Sequence, residues 1–362
     1  MKYGIITHYD VHNHGAILQL NGLCEVLRQN FGIEVSALQF DKNYDFLGRE
    51  MKAKYEISIK SVGIYMKFLA DRGLKSTLFN YKKRNLLEDF KSTHHLVGDY
   101  YTESGELDGV VVGSDEVFAL HTGPTPVFFG HALPSKKVFS YAGCFGPTTI
   151  NEIERLHCRD FVGSGLNSML GLSMRDQNSI AITKELTGRD ATLVCDPVIL
   201  YGYKKEIAEF KDVNLPLYLL VYAYDTHMND KAEVEKIKEY ARANNLKIVS
   251  PGFYHSWADY NINVDPVELL RYFKYAQCVV TDTFHGSVMS IISGKDMAVK
   301  LRGNANKLLN LLEEYNLTDR VIDEKWNLSN IFSSKINQDS LEAEVIRRRK
   351  DSMSYLSEMV KR

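Results

Sequence analysis

The chain lacks the short motifs that most directly indicate nucleotide binding or hydrolysis. It contains neither a P-loop nor a GxGxxG dinucleotide fingerprint, so the two standard glycine-rich phosphate-binding loops are absent. It contains no GxSxG sequence, which excludes the usual nucleophile elbow of an α/β-hydrolase. No Asp-x-Asp sequence occurs, and this counts against a single-domain nucleotide-sugar transferase that binds a metal through carboxylates.

Cysteine and long apolar runs are also scarce. The five cysteines are scattered and include no CxxC pair, which predicts reduced, buried thiols. The N-terminal sequence MKYGIITHY enters a strand pattern at once, without the cationic and apolar regions of a signal peptide. No apolar run approaches the roughly 18 residues that a membrane span requires. We therefore expect a cytoplasmic protein.

The charge balance argues against a nucleic-acid partner. A formal net charge of −2 provides no general basic surface. Two short basic runs, YKKR at 81–84 and RRRK at 347–350, lie in segments with helical spacing, where a solvated face is the usual explanation. The second run leaves open a peripheral contact with the inner face of the membrane.

The order of the apolar segments predicts an α/β fold. Strand-like and helix-like stretches alternate along the chain, and Val-, Ile- and Leu-rich strands such as DGVVV belong in parallel sheets covered by helices. A chain of 362 residues exceeds one ordinary core, and a charged stretch at 201–216 interrupts the alternation. We predict two Rossmann-like lobes, 1–205 and 206–336, and a C-terminal helix, 337–362, free to cross back to the N-terminal lobe.

Several details of this fold follow from the same patterns. Two helices are expected between about residues 55 and 92, and LGLSMRD and TLVCDPVIL are expected to contribute strands to the first sheet. Ligands of open α/β sheets bind beyond the carboxyl ends of the strands. Residues just after the strands are therefore the first candidates for function.

Polar and small residues follow the first strands of the predicted N-terminal lobe. Asn13, His14 and Gly15 precede a helix start, and Gly15 would permit close approach of a substrate or of the facing loop. The nearby histidines at 8, 12 and 14 invite a zinc interpretation, but a structural zinc site needs four ligands and no further pair joins them. Gly113, Ser114 and Asp115 form a second polar turn, for which a capped helix is the alternative.

Two further turns carry charge. Arg175 follows a predicted strand, where its fork-shaped guanidinium suits a carboxylate or phosphate; a salt bridge to Asp176 or another neighbour is the alternative. The stretch VVTDTFHGSVMSIISG at 279–294 places Asp282, Thr283 and His285 between a buried strand and a helix. A helix start directs backbone N–H groups at an anion, although a simple N-cap would explain the same residues.

Six motifs together resemble the polysaccharide pyruvyl transferases. NHGAILQ, VVVGSDEVF, SYAGCFG, SMRDQNS, CDPVIL and VVTDTFHGSVMSII occur in that family's order and at about its separations, from about residue 3 to residue 320. The resemblance implies a two-lobed fold like that of the GT-B glycosyltransferases. It also implies transfer of pyruvate from phosphoenolpyruvate to a sugar hydroxyl pair as a ketal, in cell-surface polysaccharide biosynthesis.

With this chemistry the site residues take definite roles. We predict that His285 is the acid–base catalyst, that Asp282 orients its ring, and that Asp115 is a base toward the acceptor. The residues predicted to bind the donor lie mainly in the C-terminal lobe: Arg175, Arg302, Thr283, Phe284, Gly286 and Ser287. Those predicted to bind the acceptor lie in the N-terminal lobe: Asn13, His14, Gly15, Gly113 and Ser114.

The expected partners are phosphoenolpyruvate as co-substrate and a sugar or lipid-linked glycan as acceptor, with no cofactor and no metal. The chain departs from the family where Thr283 replaces an arginine found in some members, so that Arg302 would have to substitute for it. His14, Glu116 and Cys144 also differ from the residues frequent there. A nucleotide-sugar glycosyltransferase and a non-catalytic glycan-binding component remain the alternatives.

Overall fold

Two lobes of the same topology form the protein. A computed structural model describes residues 1–42, 59–122, 124–303 and 306–362. Each lobe contains a five-stranded parallel sheet, in which the third, second, first, fourth and fifth strands of that lobe lie side by side in this order. The prediction of two Rossmann-like lobes with parallel sheets is confirmed.

The strands of the first sheet are β1 Lys2–Ile6, β2 Glu34–Gln39, β3 Val97–Tyr100, β4 Gly109–Val112 and β5 Val138–Ser140. Those of the second sheet are β8 Tyr218–Tyr222, β9 Lys247–Pro251, β10 Tyr260–Ile262, β11 Cys278–Thr281 and β12 Met297–Val299. A separate pair consists of β6 Ser173–Met174 and β7 Thr192–Leu193. The residues of β4, β8 and β11 are all buried, because helices cover both faces of each parallel sheet.

The helices of the first half are α1 His14–Phe31, α2 Ile59–Thr93, α3 Ile150–Arg155, α4 Arg159–Ser168, α5 Gln177–Thr187, α6 Pro197–Tyr201 and α7 Lys204–Glu209. Those of the second half are α8 Lys231–Ala243, α9 Pro266–Tyr275, α10 Phe284–Ile292, α11 Asn306–Glu314, α12 Leu328–Ser333 and α13 Gln338–Lys361. Short 3₁₀ helices lie at Pro126–Phe129 and Thr318–Arg320. Among the described residues no helix is long and apolar enough to cross a membrane.

The helices predicted between about 55 and 92 correspond to α2, which is kinked at Gly73; residues 55–58 lie outside the described part of the chain. The predicted linker at 201–216 is partly helical, since α7 occupies its first half. The predicted lobe boundary between residues 205 and 206 therefore falls inside a helix.

The expectation for LGLSMRD and TLVCDPVIL was wrong in part. Each contributes only a two-residue strand, and these pair with each other beside the first sheet. The side chains of Ser140 and Ser173 hydrogen-bond the backbone between β5 and β6 in place of a continuous ladder. Apolar PVILY is helix α6, because Asp196 caps its start and Pro197 occupies its first turn.

The C-terminal helix does cross back to the N-terminal lobe. The Tyr355 hydroxyl donates a hydrogen bond to the carbonyl of Ser140 at 2.9 Å, and the Ser352 hydroxyl accepts one from the backbone N–H of Cys195 at 2.8 Å. The Lys137 ammonium donates to the carbonyl of Val360 at 2.7 Å. Helix α13 therefore ties the end of the chain to the first sheet.

Candidate active site

A pocket of about 170 Å³ lies where the carboxyl ends of both sheets face each other. Its lining comes from the segments that follow β1, β4, β8, β11 and β12, the expected place for a ligand in open α/β sheets. The lining residues are Asn13, Asp115, Glu116, Tyr224, Asp282, Thr283, Phe284, His285, Arg302, Lys307 and Leu308. The first three belong to the N-terminal lobe, so the pocket exists only between the lobes.

His285 is fixed in the first turn of α10. The Thr283 hydroxyl caps this helix by accepting a hydrogen bond from the N–H of Gly286 at 2.9 Å. The His285 side chain is buried, and its Nε2 has no hydrogen-bond partner among the described residues. Burial lowers the pKa of His285, although the nearby carboxylates of Asp196 and Asp115 oppose this effect. His285 therefore lines the pocket with a lowered pKa and with one ring nitrogen unpaired among the described residues.

The ring of His285 packs on the other lobe at Gly15. A Cβ on Gly15 would overlap the ring of His285, so only glycine fits between the start of α1 and the start of α10. Asn13 caps α1 by accepting a hydrogen bond from the N–H of Gly15 at 2.8 Å. Of the two uses predicted for Gly15, the close approach of the facing loop is the one observed.

Arg175 lies behind the pocket rather than in it. Its guanidinium is 1% exposed and lies 2.8 Å from Asp115 Oδ1 and 3.4 Å from Asp196 Oδ2. It also lies 4.5 Å from the centre of the Phe284 ring. The guanidinium that we expected to face the donor therefore contacts two carboxylates and an aromatic ring, as the salt-bridge alternative predicted. Asp176 is not one of these partners, because it caps α5.

Asp115 connects Arg175 to the pocket. Burial raises the pKa of its carboxyl, but Arg175, Lys307 and His285 outweigh burial and hold that pKa well below its usual range. Its backbone has φ = 75°, a left-handed conformation that is unfavourable for a residue other than glycine. Such conformations persist where the surrounding structure requires them, and they concentrate at functional sites.

Asp282 does not orient the ring of His285, contrary to our expectation. Its Oδ2 lies 2.9 Å from His227 Nδ1 and accepts a hydrogen bond from Arg302 Nε at 3.0 Å. Arg302 also donates both terminal N–H groups to Glu233, at 2.7 and 2.9 Å. Burial raises the pKa of Asp282, while His227 and Arg302 oppose this shift. The fully buried Asp282 side chain therefore holds a histidine and an arginine of its own lobe.

Lys307 and Glu116 were not among the predicted site residues, yet they join the two lobes across the pocket. Lys307 Nζ lies 2.5 Å from Glu116 Oε1. Burial lowers the pKa of Lys307, but Glu116 and Asp115 outweigh burial and raise it. Glu116 follows β4 in GSDEV, and Lys307 lies at the start of α11, the helix after β12, in RGNANK; these positions beyond strand ends are the sequence feature that could have identified them.

A comparison with protein families identifies the family to which this chain belongs. The model of the family "Polysaccharide pyruvyl transferase" matches residues 13–298, which include every pocket residue from Asn13 to His285 and most of the chain. The chain belongs to the polysaccharide pyruvyl transferase family. The resemblance inferred from the six sequence motifs is therefore confirmed. No curated protein matches the chain.

Solved structures show what other proteins share the fold of this pyruvyl transferase family member. A UDP-N-acetylglucosamine 2-epimerase aligns with a TM-score of 0.51 at 10% identity, over 97% of this chain and 92% of the other. Arabidopsis thaliana UGT89C1, complexed with UDP-L-rhamnose, aligns with a TM-score of 0.50 at 8% identity, over 98% and 94%. At these identities the likeness shows the two-lobed, GT-B-like fold alone.

Several residues predicted to bind substrate lie outside the pocket of this family member. His14 is fully buried between the lobes, where its Nε2 lies 2.9 Å from the carbonyl of Val264, and burial lowers its pKa to about 3. Gly113 packs against the carbonyl of Tyr141, and the carbonyl of Ser114 accepts a hydrogen bond from the Thr7 hydroxyl. Ser287 donates its hydroxyl to the carbonyl of Thr283. In the structure these residues make packing and hydrogen-bond contacts within the protein, and their predicted roles in substrate binding stay predictions.

The three histidines considered as zinc ligands point to different partners. His8 Nε2 lies 3.2 Å from the carbonyl of Glu116, and His12 Nε2 lies 2.8 Å from Glu88 Oε1. His14 contacts Val264 of the other lobe. Within the described ranges no three His, Cys, Asp or Glu side chains are placed to hold a metal ion.

A larger groove of about 980 Å³ lies farther along α1, between α2, α7 and the start of α9. Carboxylates outnumber lysines in its lining, and it contains none of the predicted site residues. The chemistry-bearing residues therefore concentrate in the smaller pocket between the sheets.

Proposed function

We propose that this protein transfers pyruvate from phosphoenolpyruvate to a pair of sugar hydroxyls as a ketal. The observation that carries the proposal is the pocket itself, in which His285, Arg302 and Lys307 of one lobe face Asp115 of the other. Membership of the polysaccharide pyruvyl transferase family supports the same reaction class. The acceptor is a sugar or a lipid-linked glycan.

The size and the chemistry of the pocket favour a compact donor. Its volume of about 170 Å³ is below the roughly 300–1,000 Å³ of typical pockets for drug-sized ligands. Phosphoenolpyruvate is a small molecule with a carboxylate and a phosphate, and guanidinium and ammonium groups are the side chains that bind such anions. The N-terminus of α10 adds backbone N–H groups on the same side.

The reaction requires proton transfers at one carbon and two oxygens, and therefore a group that acts as an acid and a base. The enol methylene gains a proton, two sugar oxygens form bonds to the central carbon, and the bond from that carbon to the phosphate oxygen breaks. The two protons lost by the hydroxyls end on the new methyl group and on the released phosphate. His285 is suited to these transfers, because its neutral imidazole can accept a proton and return it.

We assign Asp115 a different role from the base expected from the sequence. A carboxylate whose pKa is held far below neutrality accepts a proton poorly. Its negative charge instead stabilises a protonated His285 and the oxocarbenium-like carbon that forms when phosphate leaves. Arg175 then acts from behind, by fixing the orientation of Asp115 through the 2.8 Å contact.

The alternative is a glycosyltransferase that uses a nucleotide sugar, which the GT-B-like fold also accommodates. The two functions differ in the donor that stabilises the protein. A ligand that binds the folded state raises the melting temperature. We expect phosphoenolpyruvate to raise it and UDP- or GDP-sugars to leave it unchanged; the reverse result would overturn the proposal. Release of phosphate from phosphoenolpyruvate with a glycan acceptor is the confirming assay.

A location at the inner face of the membrane remains part of the proposal. The basic run at 347–350 is the segment considered for this contact. Two of its three arginines are already paired with carboxylates: Arg347 contacts Glu344 and Asp351, and Arg348 contacts Glu314. Any attraction to anionic lipids from this run is weakened accordingly.

A further inference from the structure

The cationic groups around the pocket already have carboxylate partners, so an anionic donor must compete with them. Arg302 is held by Glu233 through two hydrogen bonds and by Asp282 through a third. Arg175 is held by Asp115 and Asp196 and is shielded from solvent. Multidentate pairs with buried partners exchange least readily, because separation would leave an uncompensated buried charge.

Lys307 is different, because its direct ion pair is with a single carboxylate that belongs to the opposite lobe, although Asp115 lies near enough to add to the field. The Lys307 side chain is 29% exposed and the Glu116 side chain 17%. Both residues line the pocket. A single contact between two partly exposed groups is the weakest of the three ion pairs. Because it is a single contact, this is the pair of the three that an anionic ligand in the pocket can separate at the least cost.

Glu116 can also move its carboxylate without unfolding its loop. The backbone carbonyl of Glu116 accepts a hydrogen bond from the Thr122 hydroxyl at 3.3 Å and lies 3.2 Å from His8 Nε2. These contacts fix the main chain but not the carboxylate. Glu116 Oε2 already lies 3.5 Å from Nε2 of the half-exposed His121, so a second partner is within reach when Lys307 is released.

We infer that Lys307 is a donor-binding residue. Its ammonium group is paired with the Glu116 carboxylate until an anionic group of the donor takes the place of that carboxylate. The inference rests on the proposed function for the identity of the donor. In the unliganded protein the Glu116 carboxylate stands in for an anionic oxygen of phosphoenolpyruvate. Binding exchanges one ion pair for another, so Glu116 lowers the affinity of the protein for the donor. A weakly charged ligand would not replace the Glu116 carboxylate, so Glu116 also favours strongly charged ligands.

The experiment is a double-mutant cycle read by calorimetric binding of phosphoenolpyruvate and, separately, of inorganic phosphate. Glu116→Gln removes the competing charge, and we expect it to tighten binding about threefold to thirtyfold, the range expected for release of a partly buried ion pair. Lys307→Gln should weaken binding. In the Lys307→Gln background, Glu116→Gln should no longer tighten it. Glu116→Asp, which shortens the reach toward Lys307, should act in the same direction as Glu116→Gln if the latter folds poorly.

Glu233→Gln is the matched control, since it removes one carboxylate beside the same pocket but frees only Arg302, which Asp282 still holds. We expect it not to tighten binding. Three results would overturn the inference: unchanged affinity in Glu116→Gln, equal tightening with and without Lys307, or no binding of either anion by any variant. If a nucleotide sugar binds and phosphoenolpyruvate does not, the proposed function fails. The phosphate cycle then still tests the exchange at Lys307.

Discussion

The two walls of the pocket differ in charge. The N-terminal wall contributes the carboxylates of Asp115 and Glu116, whereas the C-terminal wall contributes His285, Arg302 and Lys307 together with a single carboxylate, Asp282. Both walls follow the ends of parallel strands with the same sheet order. Under the proposed function, the C-terminal wall carries the groups that bind and protonate the donor, and the N-terminal wall carries carboxylates that balance part of their charge.

The role proposed for the C-terminal wall can be tested most strongly at His285. We expect His285→Gln to lower kcat about a hundredfold to ten-thousandfold, the usual contribution of acid–base catalysis. Phosphate release from phosphoenolpyruvate with a glycan acceptor measures it. His12→Gln is the control, because His12 contacts Glu88 away from the pocket and should retain activity. A His285→Gln protein with more than half of the wild-type rate would exclude the assigned role.

The contact between the walls can be tested at Gly15. Gly15→Ala places a methyl group against the His285 ring, and we expect a loss of about 1–3 kcal/mol in stability, as for other overpacked sites, together with lower activity. Gly63→Ala in helix α2 meets no neighbouring atom and should be neutral or slightly stabilising. Chemical denaturation of both variants measures the difference. Equal stability of the two would mean that the lobes separate easily at this point.

The burial of His14 between the walls predicts a dependence on pH. Its folded-state pKa of about 3 lies below the ordinary histidine value of 6.5, because of burial and the nearby Lys83. The stabilising contribution is therefore complete above pH 6.5 and is lost as the pH falls toward 3. Between pH 7 and pH 5 this residue should remove about 2 kcal/mol from the wild type.

His14→Gln cannot gain this proton, so its stability should fall less than that of the wild type over the same interval. Urea denaturation at the two pH values measures the slopes. Parallel slopes would show that His14 is protonated without opening the contact between the lobes.

The smallest effect is expected at the helix that ties the lobes together. Tyr355→Phe removes the hydrogen bond to the carbonyl of Ser140 and should lower stability by about 1 kcal/mol, with activity unchanged. Tyr81→Phe is the control, since Tyr81 is 63% exposed on α2. Thermal unfolding and phosphate release together check the expectation. A large loss of activity in Tyr355→Phe would indicate that α13 also sets the geometry of the pocket.

The sequence predicted much of the fold because its information is local. Apolar runs and their spacing placed the strands and helices, and Thr283 and Asn13 were recognisable as residues at helix starts. The short strands β6 and β7 were overestimated, since a cap and a proline turn an apolar run into a helix. A pattern of apolar residues alone does not distinguish these outcomes.

The site was predicted less completely, because which side chains meet depends on how distant segments dock. Asp115 and Arg175 were both named, but their pairing with each other spans 60 residues, and that of Lys307 with Glu116 spans 191. Arg175 and His14 have the same residue types as ligand-binding groups, yet both are buried in protein contacts. Residue type and position after a strand are not sufficient to separate these uses.

By itself the sequence determined two α/β lobes, the polar residues at their strand ends and the helix start that carries His285, because periodicity and capping act over a few neighbouring residues. Only the tertiary structure decided that Gly15 packs against His285 and that Asp282 pairs with Arg302 and His227. It also decided that Lys307 pairs with a carboxylate of the other lobe. The physical reason is that these contacts form between residues far apart in the sequence, where the surfaces of separate segments pack against each other. Their energies depend on burial and distance, which no local pattern records.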